Sequence, residues 1–235
     1  MIIIFDVDGT LLGGESADWT SFGAAFQEAA GFALAPAFFE TLEEITTQAI
    51  VHQAFANHSP EEKKAIESAI RCGYLRRLAE AHQRDPLTFS PTTGSVALLQ
   101  DLQRKKIPVA IATGDWLETI TFKLTAARIA FKNLPMATSS DRYSRADIIS
   151  LAATKAGASL DEAIYVGDGS WDLRAARKLG IPFIGVGSKA DKLHQAGAKH
   201  LVPDLAPENF WPAVEKISRP TPSLGRTPNT AVAQL

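Results

Sequence analysis

The chain opens with Met1-Ile2-Ile3-Ile4-Phe5-Asp6-Val7-Asp8-Gly9-Thr10-Leu11. The apolar residues at its start, mostly β-branched or aromatic, predict a short strand that is buried on both faces. Two carboxylates, Asp6 and Asp8, follow the strand, and ligands of open parallel sheets bind where the strands end. Paired acids at the end of a buried strand lose hydration and repel each other unless a cation compensates. The stretch therefore predicts a divalent metal site.

The composition is that of an ordinary globular protein. Of 235 residues, 46% are hydrophobic and 21% are charged, and the formal net charge is -2, which does not favour nucleic acid or an anionic membrane surface as the main partner. The single cysteine, Cys72, excludes an internal disulfide and fits a reducing compartment. The opening apolar run is too short for a signal peptide, and no later segment has the length of a membrane span. We therefore expect a cytoplasmic protein.

Helical periodicity replaces the strand signal between Asp18 and about His82. We expect a first helix with Asp18 as its N-cap, a second helix entered through Pro36, and a third that begins at the capping box Ser59-Pro60-Glu61-Glu62. Their apolar stripes are Trp19, Phe22, Phe26 and Ala29 in the first, Phe38, Leu42, Ile45 and Ala49 in the second, and Ile66, Ile70, Tyr74 and Leu78 in the third. An all-helical block is thus inserted after the first strand.

Strands and helices alternate after Asp85-Pro86. The apolar runs predict strands at 109–115, 134–138, 163–166, 182–186 and 200–202, with a helix opened by Ser90-Pro91 before them and further helices between them. This order is typical of a parallel sheet with right-handed crossovers. We expect an α/β fold with a doubly wound, Rossmann-like sheet from residues 1–14 and 86–218, an all-helical cap domain at 15–85, and a flexible tail at 219–235.

Polar residues follow three of these strands in a recognisable order. They are Asp6 and Asp8 after the first, Thr113 and Gly114 at the end of the second, and Asp168 and Asp172 in Gly167-Asp168-Gly169-Ser170-Trp171-Asp172. Each group alone has a simpler explanation, such as a turn or a helix cap. Together they resemble the motifs of the haloacid dehalogenase (HAD) superfamily, whose members are mostly magnesium-dependent phosphatases. The helical block is similar to the inserted cap of many such enzymes.

One motif of the resemblance has two candidates. In the family a lysine, less often an arginine, stands before the helix that precedes the last acidic strand. Arg145, in Ser144-Arg145-Ala146-Asp147, holds that place but departs from the usual Lys-Pro form. Arg142 is the nearby competitor, and Lys155 lies too far along the helix.

The resemblance implies a Mg²⁺-dependent phosphomonoester hydrolase that acts on a small phosphorylated metabolite. Asp6 would attack phosphorus and form an aspartyl-phosphate, and Asp8 would protonate the leaving oxygen and then activate water. The metal would be held by Asp6, the Asp8 carbonyl, Asp168 and Asp172. The phosphate would be held by Thr113, Arg145 and backbone amides near Gly9 and Gly114.

Other functions remain open on the sequence. A phosphomutase similar to β-phosphoglucomutase would share all four motifs, and a non-catalytic member would keep only the fold. The acid at Asp8 argues against a dehalogenase, because the resemblance implies that dehalogenases lack an acid there. The chain is too long for a two-component receiver. We expect Trp116 to pack on its own domain rather than against a substrate, and a monomer or a homodimer in solution.

Overall fold

A six-stranded parallel sheet forms the centre of the part of the chain that the structure, a computed structural model, describes, namely residues 1–218. The strands are β1 Ile2–Phe5, β2 Val109–Ala112, β3 Met136–Ala137, β4 Ala163–Gly167, β5 Phe183–Val186 and β6 His200–Val202. Their order is β3-β2-β1-β4-β5-β6, so that β1 lies between β2 and β4. The predicted doubly wound sheet is confirmed. The tail at 219–235, which we expected to be flexible, lies outside the described residues.

The described residues form ten α-helices. They are α1 Glu15–Ala30, α2 Pro36–Glu40, α3 Thr47–Ala54, α4 Pro60–Arg84, α5 Ser95–Arg104, α6 Leu117–Ala126, α7 Arg145–Lys155, α8 Ser170–Leu179, α9 Ala190–Gln195 and α10 Pro207–Ser218. Among the residues described, no helix is both long and apolar enough to cross a membrane.

The side chains of β1 alternate between two hydrophobic cores. Ile3 and Phe5 pack with α5, α6 and α10, whereas Ile2 and Ile4 pack with α7, α8 and α9 on the other face. The strand is completely buried, as expected for a parallel sheet covered by helices on both sides. This burial explains why the β1 sequence is a continuous apolar run.

The register of the sheet brings three strand ends to one level. Phe5 pairs with Ile111 of β2 and with Val166 of β4. The residues that come next in the three strands therefore leave the sheet side by side. This is the edge at which the candidate site lies.

Helices α1 to α4 lie between β1 and the rest of the sheet in the sequence, and they share a core of their own. Phe22 and Phe26 of α1 pack with Ile70 and Leu78 of α4, and this core extends to Trp116 at the start of α6. The helical cap agrees with the architecture expected from the resemblance. The proposed boundaries after residues 14 and 85 stay a prediction.

The first two helices of the cap differ from expectation. Helix α1 begins at Glu15, after Gly14 in the left-handed region at a φ of 98°, so Asp18 is not its N-cap. The expected second helix is two helices, because α2 ends at Glu40 and the Thr46 side chain caps a new helix by accepting a hydrogen bond from the Ala49 amide over 3.1 Å. The capping box at the start of α4 is confirmed.

Two further differences lie in the core domain. Helix α5 begins at Ser95 rather than at Ser90-Pro91, since Pro91 forms an isolated bridge with Leu12 and Gly94, at a φ of 80°, precedes the helix. Helix α10 was not predicted, and it contains Pro212, a residue that normally disfavours a helix interior.

Candidate active site

Asp6 stands at the centre of a buried group of acids. Its amide donates to the Val166 carbonyl over 2.9 Å, so its backbone still belongs to the sheet. Oxygens of Asp6, Asp168 and Asp172 all lie within 4.8 Å of one another. Burial raises the pKa of Asp6 well above its usual value, and Asp172 raises it further, while Arg145 opposes the shift. Such a cluster of oxygen donors fits a hard divalent cation, because the cation would remove the repulsion.

Gly9 allows Asp168 to approach the first strand. Its φ is +77°, and a Cβ at this position would lie 2.2 Å from Asp168 Oδ2. That backbone amides near Gly9 help hold a phosphate stays a prediction. The Gly9 amide itself donates to the Leu12 carbonyl over 2.7 Å. What Gly9 provides is the space for the carboxylate.

Asp172 lies one helical turn after Asp168 and is completely buried. One oxygen accepts a hydrogen bond from the Gly169 amide over 3.0 Å. The other accepts from the Tyr165 hydroxyl over 2.9 Å and lies 3.0 Å from Arg145 Nη1. Because both oxygens already have partners, Asp172 fixes the loop after β4 and the arginine more directly than it presents a free ligand.

Arg145, not Arg142, reaches the acids. Its Nη1 donates to Asp6 Oδ1 over 3.2 Å, and its Nη2 donates to the Ile45 carbonyl of the cap over 3.0 Å. The guanidinium passes over Gly114, where a Cβ would lie 2.3 Å from Nη2. Its Nε is buried and has no hydrogen-bond partner among the residues described. Arg142 is exposed and donates to the Asp141 carbonyl.

Asp8 is bound by a lysine that the sequence analysis did not identify. Lys123 Nζ lies 2.8 Å from both carboxylate oxygens of Asp8, and the lysine side chain has no exposed surface. Burial raises the pKa of Asp8 to about 7, although Lys123 opposes the shift. A carboxyl group with such a pKa can both donate and accept a proton near neutral pH.

The same lysine contacts two more acids. Lys123 Nζ lies 2.6 Å from Asp18 Oδ1 of α1 and 2.8 Å from Asp115 Oδ2. Burial alone would lower the pKa of Lys123, but Asp115, Asp18 and Asp8 together raise it well above its usual value. A signal was present in the sequence, because Thr119 and Lys123, four residues apart, share one face of α6, and Asp115 lies a further four residues back, just before the helix.

A second unpredicted lysine lies beside Asp168. Lys189 follows β5, and its Nζ lies 2.6 Å from Asp168 Oδ2 and also contacts Glu15. Burial, together with Asp172, raises the pKa of Asp168 to about 7 against the opposing effect of Lys189. No motif or spacing in the sequence pointed to Lys189, since the loop that carries it has no regular pattern.

Thr113 and Gly114 join the acids at the end of β2. The buried Thr113 side chain accepts a hydrogen bond from the Asp115 amide over 3.2 Å. The Gly114 carbonyl accepts from the Thr47 amide over 2.8 Å, so the start of α3 in the cap rests directly on this loop.

A small cavity of about 70 Å³ lies between these residues and the cap. Its walls include Asp6, Asp8, Asp18, Thr113, Gly114, Asp115, Arg145, Trp19, Ile45 and Trp171. A groove of about 410 Å³ adjoins it and shares Trp19, Ile45 and Trp171 with it. Trp116 is completely buried, in agreement with the expectation that it packs rather than faces a substrate, but it packs among residues of the cap helices and not on its own domain as expected. The acids, the arginine and an enclosed space thus occur together.

Solved structures with the same fold support this architecture. A hydrolase from Pseudomonas syringae has a TM-score of 0.72 at 22% identity, covering 93% of this chain and 99% of that chain. The β-phosphoglucomutase of Clostridium difficile has a TM-score of 0.72 at 20% identity, covering 93% and 100%. CbbY of Rhodobacter sphaeroides, solved in complex with phosphate, has a TM-score of 0.69 at 22% identity, covering 92% and 100%. At 20–22% identity, this structural similarity shows the fold alone.

A comparison with curated proteins found no match. The sequence does match a family model. The model described as haloacid dehalogenase-like hydrolase matches residues 3–186, a span that begins before Asp6 and ends after Asp172. The chain therefore belongs to the haloacid dehalogenase-like hydrolases.

Proposed function

We propose that the protein is a Mg²⁺-dependent phosphomonoester hydrolase that acts on a small phosphorylated metabolite through an aspartyl-phosphate at Asp6. One observation carries the proposal: Asp6 is buried at the strand end, within 4.8 Å of two further acids and 3.2 Å from the Arg145 guanidinium. A carboxylate nucleophile beside a cation site and a fixed guanidinium is what phosphoryl transfer requires, because that reaction depends on positioning and charge neutralisation.

Magnesium fits the oxygen donors of this edge. The carboxylates of Asp6 and Asp168 and the carbonyl of Asp8 would hold it, with Asp172 fixing the loop that carries Asp168. When bound, the ion would neutralise charge on the phosphoryl group and on the acids.

The chain's own residues then perform two steps. In the first, an Asp6 oxygen forms a bond to phosphorus while the bond from phosphorus to the leaving oxygen breaks, and Asp8 gives its proton to that oxygen. In the second, Asp8 takes a proton from water as the water oxygen attacks phosphorus and Asp6 is released. Arg145 and Thr113 hold the phosphoryl oxygens throughout.

Two adjoining spaces would bind two different parts of the substrate. The cavity of about 70 Å³ takes the phosphoryl group, and the adjoining groove of about 410 Å³ takes the leaving group. Because Trp19 and Trp171 line both spaces, we expect the leaving group to contact both indole rings. A metabolite-sized ester suits these dimensions.

The test is release of inorganic phosphate from a panel of phosphate esters. We expect Asp6→Asn to abolish release, and exhaustive chelation to stop the wild-type enzyme until Mg²⁺ is restored. Asp161→Asn is the matched control, since Asp161 is exposed and precedes β4, whereas the candidate site lies where the strands end. Unchanged turnover by Asp6→Asn would overturn the proposal. Conversion of a sugar monophosphate to its isomer without phosphate release would indicate a phosphomutase instead.

A further inference from the structure

We propose that Lys123 is a positioning residue for Asp8, which it holds in the orientation needed to protonate the leaving oxygen. The inference rests on the proposed function, because it concerns the proton-transfer step of that reaction. It assigns a role to a lysine that belongs to none of the four motifs.

The contact between the two residues fixes the carboxylate in two directions. Both oxygens of Asp8 lie 2.8 Å from Lys123 Nζ. A carboxylate whose two oxygens both accept hydrogen bonds from one ammonium group cannot rotate about its Cβ–Cγ bond without losing one of these hydrogen bonds. The lysine is itself held, since its side chain is completely buried on α6. The orientation of Asp8 therefore follows from the position of the ammonium group.

Lys123 contacts residues of the cavity wall but is not itself part of that wall. Asp8, Asp18 and Asp115 line the cavity, whereas Lys123 is completely buried and does not line it. Oxygens of these three acids lie within 4.8 Å of one another, a grouping that could hold a cation. The ammonium group already occupies the middle of it, at 2.6 to 2.8 Å from each acid. The chain thus supplies its own cation at this second cluster.

The network also joins the cap to the core domain. Asp18 belongs to α1, and it accepts a hydrogen bond from Tyr74 of α4. Lys123 belongs to α6, which follows β2. Because the same ammonium group contacts Asp18 and Asp8, the seating of the cap helices and the orientation of Asp8 depend on one side chain.

The leaving group provides a readout that a purely structural role would not change. An activated aryl oxygen departs without a proton, whereas an alkyl oxygen needs one. We therefore measure kcat/KM, which reports the step that transfers the phosphoryl group to the enzyme, for 4-nitrophenyl phosphate and for glycerol phosphate. We expect Lys123→Met to lower kcat/KM for glycerol phosphate about 100-fold or more and for 4-nitrophenyl phosphate less than about 10-fold.

Two variants separate positioning from folding. Lys123→Met leaves three acids without their cation, so Lys123→Met/Asp115→Asn restores the original net charge of the cluster and should show the same preference for the aryl ester. Lys155→Met is the matched control, because Lys155 is a partly exposed lysine that pairs with Asp141 over 3.0 Å. We expect it to act on both esters like the wild type.

A double-mutant cycle tests whether Lys123 works through Asp8. In the Asp8→Asn background, we expect Lys123→Met to lower kcat/KM for glycerol phosphate by less than about threefold, since the group that it positions is already lost. Equal losses with both esters, or a full additional loss in the Asp8→Asn background, would overturn the role of Lys123. A wild-type protein that releases phosphate from no ester of the panel would overturn the proposed function and this role with it.

Discussion

Arg145 donates a hydrogen bond to Asp6 over 3.2 Å, although the two residues lie 139 positions apart in the chain. The same guanidinium contacts Asp172 and the Ile45 carbonyl of the cap. It therefore links the end of β1, the first turn of α8 and the cap at the point where the phosphoryl group is proposed to bind.

Removal of this guanidinium should damage catalysis severely. We expect Arg145→Met to lower kcat/KM about 100-fold or more, which is the effect of losing one strong donor to a developing negative charge. Arg145→Lys should retain part of the activity, because lysine keeps the charge but not the planar fork. Arg142→Met is the control and should resemble the wild type. A larger loss from Arg142→Met than from Arg145→Met would contradict the proposal and assign the role to Arg142.

Much of the fold was predictable because its signals are local. The apolar run of β1 and the capping box before α4 each specify an element within a few residues. The break between α2 and α3 was not predicted, because the apolar spacing from Phe38 to Ala49 continues through it. The Thr46 side chain acts as an N-cap there, so a new helix begins and the two helices are separate.

The site was predictable where its residues follow strands. Asp6 and Asp168 come directly after β1 and β4, and the parallel register brings them together. Lys123 and Lys189 were not predicted, because the place of each lysine in the site depends on contacts with acids that are distant in the sequence. A lysine on a helix normally indicates a solvated face, and only the acids contributed by other segments reveal that Lys123 is buried.

Gly9 offers a test of the acid cluster that does not alter any charge. Gly9→Ala places a methyl group 2.2 Å from Asp168 Oδ2 at a φ of +77°, so Asp168 must move. We expect loss of Mg²⁺ binding, measured by calorimetry, and loss of hydrolysis.

Gly157→Ala is the matched control for backbone strain. Gly157 has a φ of +67°, but no atom lies within 4 Å of its added Cβ. Both variants should lose about 1 kcal/mol of stability from the left-handed backbone, while only Gly9→Ala should lose Mg²⁺ binding. Normal Mg²⁺ affinity in Gly9→Ala would show that Asp168 is not a ligand.

The raised pKa of Asp168 predicts how stability depends on pH without metal. The pKa is about 7 in the folded protein and about 3.9 in an unfolded chain. Between these values the folded state binds a proton that the unfolded state has released. The Asp168 contribution to the free energy of unfolding therefore falls as the pH rises from about 4 to about 7.

Thermal unfolding in the presence of a chelator checks this sign. Between pH 5 and pH 7.5 the Tm of Asp168→Asn should fall less, or rise more, than that of the wild type, because asparagine does not titrate. The comparison of the two proteins cancels the contributions of groups that do not interact with Asp168, whereas Asp6 and Lys189, whose pKa values Asp168 raises, change with it. A wild-type Tm that changes no differently from that of the variant would contradict the raised pKa.

The central claim is that Asp6 carries the phosphoryl group during turnover. The direct measurement is acid quenching of the enzyme during turnover of a phosphate ester with Mg²⁺, followed by mass spectrometry of the peptide that contains Asp6. We expect that peptide to gain the mass of one phosphoryl group, and the Asp6→Asn protein to gain none. A phosphoryl group on another residue, or turnover in Asp6→Asn at the wild-type rate, would contradict the claim.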